Sequence, residues 1–199
     1  VRSRLGLDPD WTVILAIGPI IPRKGVDALA AAFACLHEQF PAARLVLVGP
    51  RHDLARPDLH NFHRRLMGSI ENAGAGERVI FTGPVSDVPA YLQAADLLVF
   101  PSRREGMPNV VPEAMAAGLP VVMTPFTGLP AEFGAPEQQY ILSDWEPDAL
   151  AGDMRRLLAD GELRRSLGRA GRDWVAAHLD LEQSLDAYMD LYRSLANRR

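Results

Sequence analysis

Residues 97–118 read LLVFPSRREGMPNVVPEAMAAG, and the rest of the chain can be arranged outward from this stretch. Leu97 to Phe100 is a short apolar run of the kind that forms a buried strand. A helical segment follows Asn109 and ends at Gly118, because glycine readily terminates a helix. The stretch therefore predicts a strand that leads through a turn into a helix.

Two glutamates frame the predicted turn. Glu105 lies in the loop after the strand, and Glu113 lies just over one turn into the helix. Because a helix rises about 1.5 Å per residue, both carboxylates can face one cleft with the free N–H groups of the first helical turn. Either glutamate alone would more simply be an exposed loop acid or an acid that favours the helix dipole. Together they suit a ligand that combines a phosphate, which the N–H groups attract, with hydroxyl-rich sugars.

On both sides of this stretch the chain alternates short apolar runs with helical patterns. Strands are predicted at residues 12–17, 45–48, 79–81, 97–100, 121–124 and, as a last edge strand, 140–142. Helices are predicted at residues 26–40, 59–72 and 88–94, after Asn109, in a short segment near Glu132, and from Pro147 onward. Strands separated by helices form parallel sheets. We therefore expect an α/β fold, a doubly wound, Rossmann-like parallel sheet with C-terminal helices.

The loops after the first and fourth strands are predicted to share one ligand site. Strand order reverses between these strands in a doubly wound sheet, and ligands bind at that switch point. The first loop contains Gly18, Arg23 and Lys24-Gly25, where a cation can neutralise a diphosphate and glycine lets the backbone come close. Taken alone, Arg23 and Lys24 are more simply a solvated pair in a turn. The loop lacks a G-x-G-x-x-G fingerprint, which argues against an NAD enzyme.

Composition narrows the class of protein. The 199 residues, 48% of them hydrophobic, can bury the core of one domain with an appended helical segment. A net charge of −4 without a long basic run argues against a nucleic-acid partner. The single cysteine, Cys35, excludes a disulfide framework; we expect it in the core of a cytoplasmic protein. No apolar run approaches the roughly 18 residues of a membrane span. Peripheral contact of the full-length protein with a membrane is a separate expectation.

Histidines are the remaining candidates for a metal site. His60 and His63 would share one helical face, and His52 precedes them. No acid or third ligand accompanies the pair at a convincing spacing. We therefore predict surface histidines and no metal.

A series of short motifs resembles a known family. In order along the chain these are Lys24-Gly25, Phe81-Thr82-Gly83, Ala95-Asp96, Pro101-Ser102 and EGMPNVVPEAMAAGLPVV at residues 105–122. Together they resemble the carboxy-terminal, donor-binding half of a family-4 (group 1) retaining glycosyltransferase with the GT-B fold of two Rossmann-like domains. A Glu-x7-Glu pair is common by chance, but this order and these neighbours are specific. The resemblance covers nearly the whole chain.

The resemblance implies a role for each matching residue. Glu105 would contact hydroxyls of the donor sugar, Glu113 would hold the ribose, and Lys24 would grip the diphosphate. Glu105 and Lys24 would be the catalytic residues. The implied substrate-binding residues are Gly18, Arg23, Lys24, Gly83, Pro84, Val85, Glu105, Gly106, Met107, Asn109, Val110 and Glu113, with backbone N–H groups of Asn109 and Val110 at the phosphate and residues 83–85 beside the base.

Two departures from the family pattern stand out. The family usually has an arginine directly after the glycine of the first loop, where this chain has Pro19, and Arg23 is the candidate to supply that charge. The preceding acceptor-binding domain of such enzymes has no counterpart before Val1. The resemblance implies a donor-binding domain at residues 1–180 and a final helix at 181–199 that returns toward the missing domain.

The implied activity is transfer of a hexosyl group from a nucleotide-diphosphate-sugar to an acceptor with retention of configuration, in polysaccharide or glycolipid biosynthesis. The nucleotide-sugar is a substrate, so no cofactor is expected, and the isolated domain is expected to be inactive. Two alternatives remain open from the sequence. One is a nucleotide-sugar epimerase or a phosphorylase of similar architecture, and the other is a nucleotide-sugar-binding module without catalysis.

Overall fold

The computed structural model describes residues 1–51, 56–106 and 108–196, and in these residues six parallel strands form one sheet. The strands are β1 (Thr12–Ile17), β2 (Ala43–Val48), β3 (Val79–Gly83), β4 (Leu97–Phe100), β5 (Val121–Met123) and β6 (Ile141–Leu142). Their order across the sheet is β3-β2-β1-β4-β5-β6. The predicted doubly wound α/β fold and its reversal of strand order between β1 and β4 are confirmed.

Seven α-helices flank the sheet or follow it in the described residues. They are α1 (Val26–Ala34), α2 (Pro57–Asn72), α3 (Val88–Ala94), α4 (Val110–Ala116), α5 (Pro147–Ala159), α6 (Gly161–His178) and α7 (Leu181–Ala196). One core cluster joins the sheet to α1, α2 and α5, and a second joins it to α3, α4 and the end of α6. Both faces of the central strands are therefore buried, which explains their continuous apolar sequences.

The central strands position the ligand loops. β1 pairs with β2 along its whole length, from Thr12 opposite Ala43 to Ile17 opposite Val48. On its other side β1 pairs with β4 through Ile14 and Leu15. Because all of these pairs are parallel, the carboxyl ends of β1 and β4 lie side by side at one edge of the sheet.

Some predicted boundaries were wrong for local reasons. α1 ends at Ala34 rather than residue 40, and the following segment continues as turns in which Leu36 N–H and His37 N–H both donate to the Phe33 carbonyl. α2 begins earlier than predicted, at Pro57, since the fixed φ of proline suits a first helical turn. The prediction of a short helix near Glu132 was also wrong. Turns around Pro130, which has no N–H to donate, occupy that segment.

Two side-chain predictions were also wrong. Cys35 is exposed, because Phe33 and Leu36 on either side of it take the buried positions. His63 is buried, with Nε2 lying 2.5 Å from the Ile20 carbonyl oxygen, whereas His60 is exposed as predicted. His52 lies outside the described residues. Within the described ranges, no group of three or more His, Cys, Asp or Glu residues could hold a metal ion.

The last helix, α7, has no buried residue. Its large apolar side chains are about half exposed or more, with Tyr188 at 62% and Tyr192 at 65%. These apolar side chains form a stripe along α7 that is not buried against the other described residues. Across the described residues, none of the helices is both long and apolar enough to cross a membrane.

Candidate functional site

The loop after β1 carries Lys24 to the edge where β1 meets β4. It passes Gly18, makes a short 3-10 turn at Pro22–Lys24, and enters α1 through Gly25. The Lys24 side chain runs beside Gly18, since a Cβ added to Gly18 would lie 3.3 Å from Lys24 Cε. Lys24 Nζ lies 5.3 Å from the centre of the Phe100 ring, at the end of β4. The ammonium group is thus fixed between the two loops that sequence analysis singled out.

Gly25 brings these two loops into backbone contact. Its φ of +66° lies in the left-handed region, and a Cβ there would be 2.0 Å from the Pro101 carbonyl oxygen. The contact continues through Arg103 N–H, which donates to the Arg23 carbonyl over 2.9 Å. Arg23 in turn donates from its guanidinium to the Arg104 carbonyl over 2.8 Å. The first and fourth loops are therefore held together as one unit.

Glu105 is the centre of the charged cluster between the loops. Its Oε1 accepts from Lys24 Nζ at 2.7 Å and from Ser102 Oγ at 2.6 Å, and Arg23 lies 3.4 Å away. All three donors reach the same oxygen. Among the described residues, none donates to Oε2, so this oxygen can accept a hydrogen bond from a ligand.

The cluster keeps Glu105 ionised. Burial acts against the charged form, but hydrogen bonds from Lys24 and Ser102 and the charges of Lys24 and Arg23 outweigh it, so the pKa of Glu105 lies below its ordinary value. A lowered pKa stabilises the folded chain above the ordinary value of 4.5, and this contribution is lost as the pH falls through the lower folded-state pKa. At neutral pH the site therefore presents a fixed carboxylate beside an ammonium group.

Ser102 and Thr124 hold the Glu105 carboxylate in place from the protein interior. Both are fully buried, and Thr124 Oγ1 donates to the Ser102 carbonyl over 2.9 Å. Ser102 appeared in the sequence only as a neighbour in a motif, and Thr124 only as the end of a strand. The hydrogen bond from Thr124 joins the segments that follow β5 and β4, so no local sequence pattern identifies it. Ser102 lies only three residues before Glu105, but the sequence does not show that their side chains meet.

His63 supports the first loop from the side of α2. Its Nε2 contacts the Ile20 carbonyl, and the Ile20 N–H donates to the Pro50 carbonyl over 2.9 Å. The loop between Gly18 and Lys24 is thus held at its middle. The sequence did contain a signal for the burial of His63. It lies on the apolar stripe of α2, next to Phe62 and one turn from Leu59 and Leu66.

The start of α4 lies after the fourth loop. No side-chain cap is made by Asn109, whose backbone is already helical, and the first helical residue is Val110. The N–H groups at such a terminus precede the helical ladder. Glu113 is exposed, and within the described chain its carboxylate makes no hydrogen bond or ion pair. The structure therefore leaves this carboxylate available to a ligand.

The remaining predicted site residues lie around this edge. Gly83 ends β3 with a φ of +72° and accepts from Gly49 N–H over 3.0 Å; Pro84 is exposed and Val85 half-buried. Gly106 is exposed, and its carbonyl oxygen lies 1.9 Å from where a Cβ on Gly128 would be. Met107 lies outside the described residues. Gly18, Arg23, Lys24 and Glu105 thus form one cluster. Within the described residues, no hydrogen bond or ion pair joins Glu113 or residues 83–85 directly to it.

The chain is similar to known proteins over most of its length. A model of the family Glycosyl transferases group 1 matches residues 1–174. The D-inositol 3-phosphate glycosyltransferase of Segniliparus rotundus is 31% identical over 97% of this chain and 42% of that protein. The GDP-mannose-dependent alpha-(1-6)-phosphatidylinositol monomannoside mannosyltransferase of Mycobacterium tuberculosis is 31% identical over 88% of this chain and 45% of that protein.

A solved structure gives the same result for the fold. Sucrose-phosphate synthase from Thermosynechococcus elongatus superposes with a TM-score of 0.85 at 34% identity, covering 100% of this chain and 49% of that one. The chain therefore spans about half of the length of the relatives that it matches, or less. On the match over residues 1–174, the chain belongs to the family of group 1 glycosyl transferases.

Proposed function

We propose that this chain is the donor-binding half of a glycosyltransferase that moves a hexosyl group from a nucleotide-diphosphate-sugar to an acceptor with retention of configuration. The observation that carries the proposal is the cluster of Lys24, Arg23 and Glu105 where β1 meets β4. It combines cations for a diphosphate with a fixed carboxylate for sugar hydroxyls. Both relatives named above carry glycosyl transfer in their names.

The diphosphate would lie against Lys24, with Arg23 beside it. Arg23 is 48% exposed and contacts Glu105 at 3.4 Å, so its guanidinium can turn toward an incoming phosphate. In this way it would replace the charge that the family usually places at the position of Pro19. The N–H groups of Asn109 and Val110 would add to this site, because the start of a helix attracts anions.

The sugar would lie against Glu105. Its Oε1 is already engaged by Lys24 and Ser102, while Oε2 is available to accept from a hydroxyl group. Glu113 would hold the ribose, and the base would lie beside Gly83, Pro84 and Val85. Gly106 and Met107 are the remaining residues that we assign to donor binding. Only one of the two named relatives has a donor in its name, GDP-mannose, so these contacts define a nucleotide-sugar as a class.

In the chemical step, the main contribution of the protein would be electrostatic stabilisation of the leaving diphosphate. As the bond between the sugar and the diphosphate breaks, negative charge develops on the departing phosphate oxygen. Lys24, Arg23 and the start of α4 would stabilise that charge, so we propose a mechanism without metal or cofactor. An exposed free thiol at Cys35 suits a reducing compartment, and we place the full-length protein in the cytoplasm.

The acceptor would bind to a second domain. We assign donor binding to residues 1–180 and propose that the C-terminal segment, residues 181–199, packs on the acceptor domain of the full-length protein. The apolar stripe of α7 is exposed, and patches of this kind usually meet another surface.

Deleting residues 180–199 should leave the stability of the remaining chain nearly unchanged, because α7 has no buried residue. The same deletion should reduce self-association of the isolated chain at high concentration. Thermal unfolding and sedimentation would measure the two effects. A large drop in the melting temperature of the shortened chain would contradict the proposed role of α7. So would an intact 199-residue chain that stays monomeric at high concentration.

The proposed activity can be tested with full-length protein and isolated chain side by side. With a radiolabelled nucleotide-sugar, the full-length protein should form a glycosylated product whose anomeric configuration, read by NMR, matches that of the donor. The isolated 199 residues should bind nucleoside diphosphate but transfer no sugar. An inverted product, an epimerised donor, or transfer by the isolated chain would each count against the proposal.

Replacing Glu113 with alanine should weaken nucleoside diphosphate and nucleotide-sugar by the same factor, because both ligands contain the ribose. The expected loss is about 1–3 kcal/mol, the usual cost of removing a charged hydrogen-bond partner. Calorimetry on the isolated chain would measure both affinities. A loss confined to one of the two ligands would show that Glu113 does not hold the ribose.

A further inference from the structure

Glu105 places a permanent negative charge inside the cationic part of the site. Its side chain is only 11% exposed, and Lys24, which holds it at 2.7 Å, is 16% exposed. Charges that are shielded from water in this way interact more strongly than charges at the surface. A phosphate that binds to Lys24 must therefore also lie close to the Glu105 carboxylate.

The carboxylate cannot easily move aside. Ser102 donates to the same oxygen as Lys24, over 2.6 Å, and Ser102 is itself fully buried and held by Thr124. Gly25 packs directly on Pro101 and so fixes the loop that carries these residues. The negative charge thus remains at one place whatever ligand enters.

The two ligands of the proposed reaction differ in charge at this place. In a nucleotide-sugar the terminal phosphate is esterified to the sugar, so the diphosphate carries two negative charges. After transfer the terminal phosphate is a free monoester-like group, whose second pKa is about 6, so it carries one more charge at neutral pH. That extra charge is shared among the terminal phosphate oxygens, including the one from which the sugar has left.

We propose that Glu105 makes the site discriminate against its own nucleoside diphosphate product. The carboxylate accepts hydrogen bonds from the hydroxyls of the intact donor through Oε2, but it repels the extra charge of the product. This inference rests on the proposed function, since it assumes that the diphosphate binds to Lys24. Its consequence is faster release of the product and weaker product inhibition.

The first test uses three ligands on the wild-type chain, by calorimetry at about pH 8, where the terminal phosphate is fully ionised. They are UDP or GDP, the matching UDP-glucose or GDP-mannose, and the same nucleoside diphosphate with a methyl ester on its terminal phosphate. The methyl ester removes the extra charge without adding sugar hydroxyls. It should bind more tightly than the free diphosphate, and equal or weaker binding would overturn the inference.

The second test replaces Glu105 with glutamine, which keeps the size of the side chain and removes its charge. Free diphosphate should then bind about tenfold more tightly, the effect of one nearby repulsive charge, while nucleotide-sugar should bind no more tightly than before. The preference for the methyl ester should disappear. Glu38→Gln is the matched control, because it changes net charge equally at an exposed position beyond the far end of α1 and should change no ratio of affinities.

The outcomes distinguish failure of the inference about Glu105 from failure of the proposed function. If the wild-type chain binds diphosphate and nucleotide-sugar, but Glu105→Gln leaves the ratio of their affinities unchanged, the inference fails and the proposed function stands. If no nucleotide binds to the folded wild-type chain, the proposed function itself fails. Should Glu105→Gln not fold, the methyl ester comparison on the wild-type chain decides.

Discussion

Replacing Lys24 with methionine should weaken nucleoside diphosphate binding to the isolated chain by about 3 kcal/mol, or more than 100-fold. Methionine keeps the apolar stem that lies beside Gly18 and Phe100 but removes the charge. Two losses add in this variant. The diphosphate loses its cation, and Glu105 loses the partner at 2.7 Å that offsets its negative charge.

The control for Lys24 is Arg103→Met. Arg103 is also a cation near the cleft, but its guanidinium pairs with Asp27 at 3.5 Å and its side chain is 51% exposed. Because its side chain makes no hydrogen bond or ion pair with Glu105 within the described residues, this variant should bind the diphosphate within a few-fold of wild type. Calorimetry on both proteins, with circular dichroism to confirm folding, gives the comparison. A folded Lys24→Met variant of wild-type affinity would rule out this diphosphate site.

Replacing Gly25 with alanine should lower the free energy of unfolding by about 3 kcal/mol or more. The new Cβ would lie 2.0 Å from the Pro101 carbonyl oxygen, which is backbone and cannot rotate away, and a φ of +66° is strained for alanine. The first and fourth loops would have to separate. Diphosphate affinity should therefore fall together with stability, since Lys24 and Glu105 lie on opposite sides of this contact.

Gly152→Ala is the matched control for Gly25. Gly152 lies inside α5, and a Cβ there would have no neighbouring atom within 4 Å. Alanine favours a helix interior over glycine by up to about 1 kcal/mol, so this change should stabilise the chain. Urea unfolding of both variants would show opposite signs. A Gly25→Ala variant as stable as wild type would mean that the two loops are not in backbone contact.

The sheet could be predicted from the sequence because its evidence is local. Apolar runs such as Leu97–Phe100 are buried on both faces in the structure, and the helices between them leave only a parallel arrangement. The pairing of Lys24 with Glu105 followed less directly. Topology places their loops side by side, but only the structure shows that Gly25 joins them and that the carboxylate and ammonium meet.

Other residues were not predicted correctly from the sequence, for physical reasons that differ from residue to residue. Thr124 donates to Ser102 between the segments that follow β5 and β4, and Ser102 donates to Glu105 within one loop; neither bond leaves a periodic signal in a sequence. His63 and Cys35 did leave a signal, which was interpreted wrongly. His63 shares the apolar stripe of α2 and is buried. Cys35 lies just after α1, beside the apolar pattern of Val26, Leu29, Phe33 and Leu36, and is exposed.

A nucleoside diphosphate is expected to bind where β1 meets β4. A crystal structure of this chain with UDP or GDP bound would show the site. Phosphate oxygens should lie within hydrogen-bond distance, about 2.7–3.2 Å, of Lys24 Nζ, with the ribose hydroxyls beside Glu113. A nucleotide bound away from Lys24, with the ion pair between Lys24 and Glu105 untouched, would contradict it.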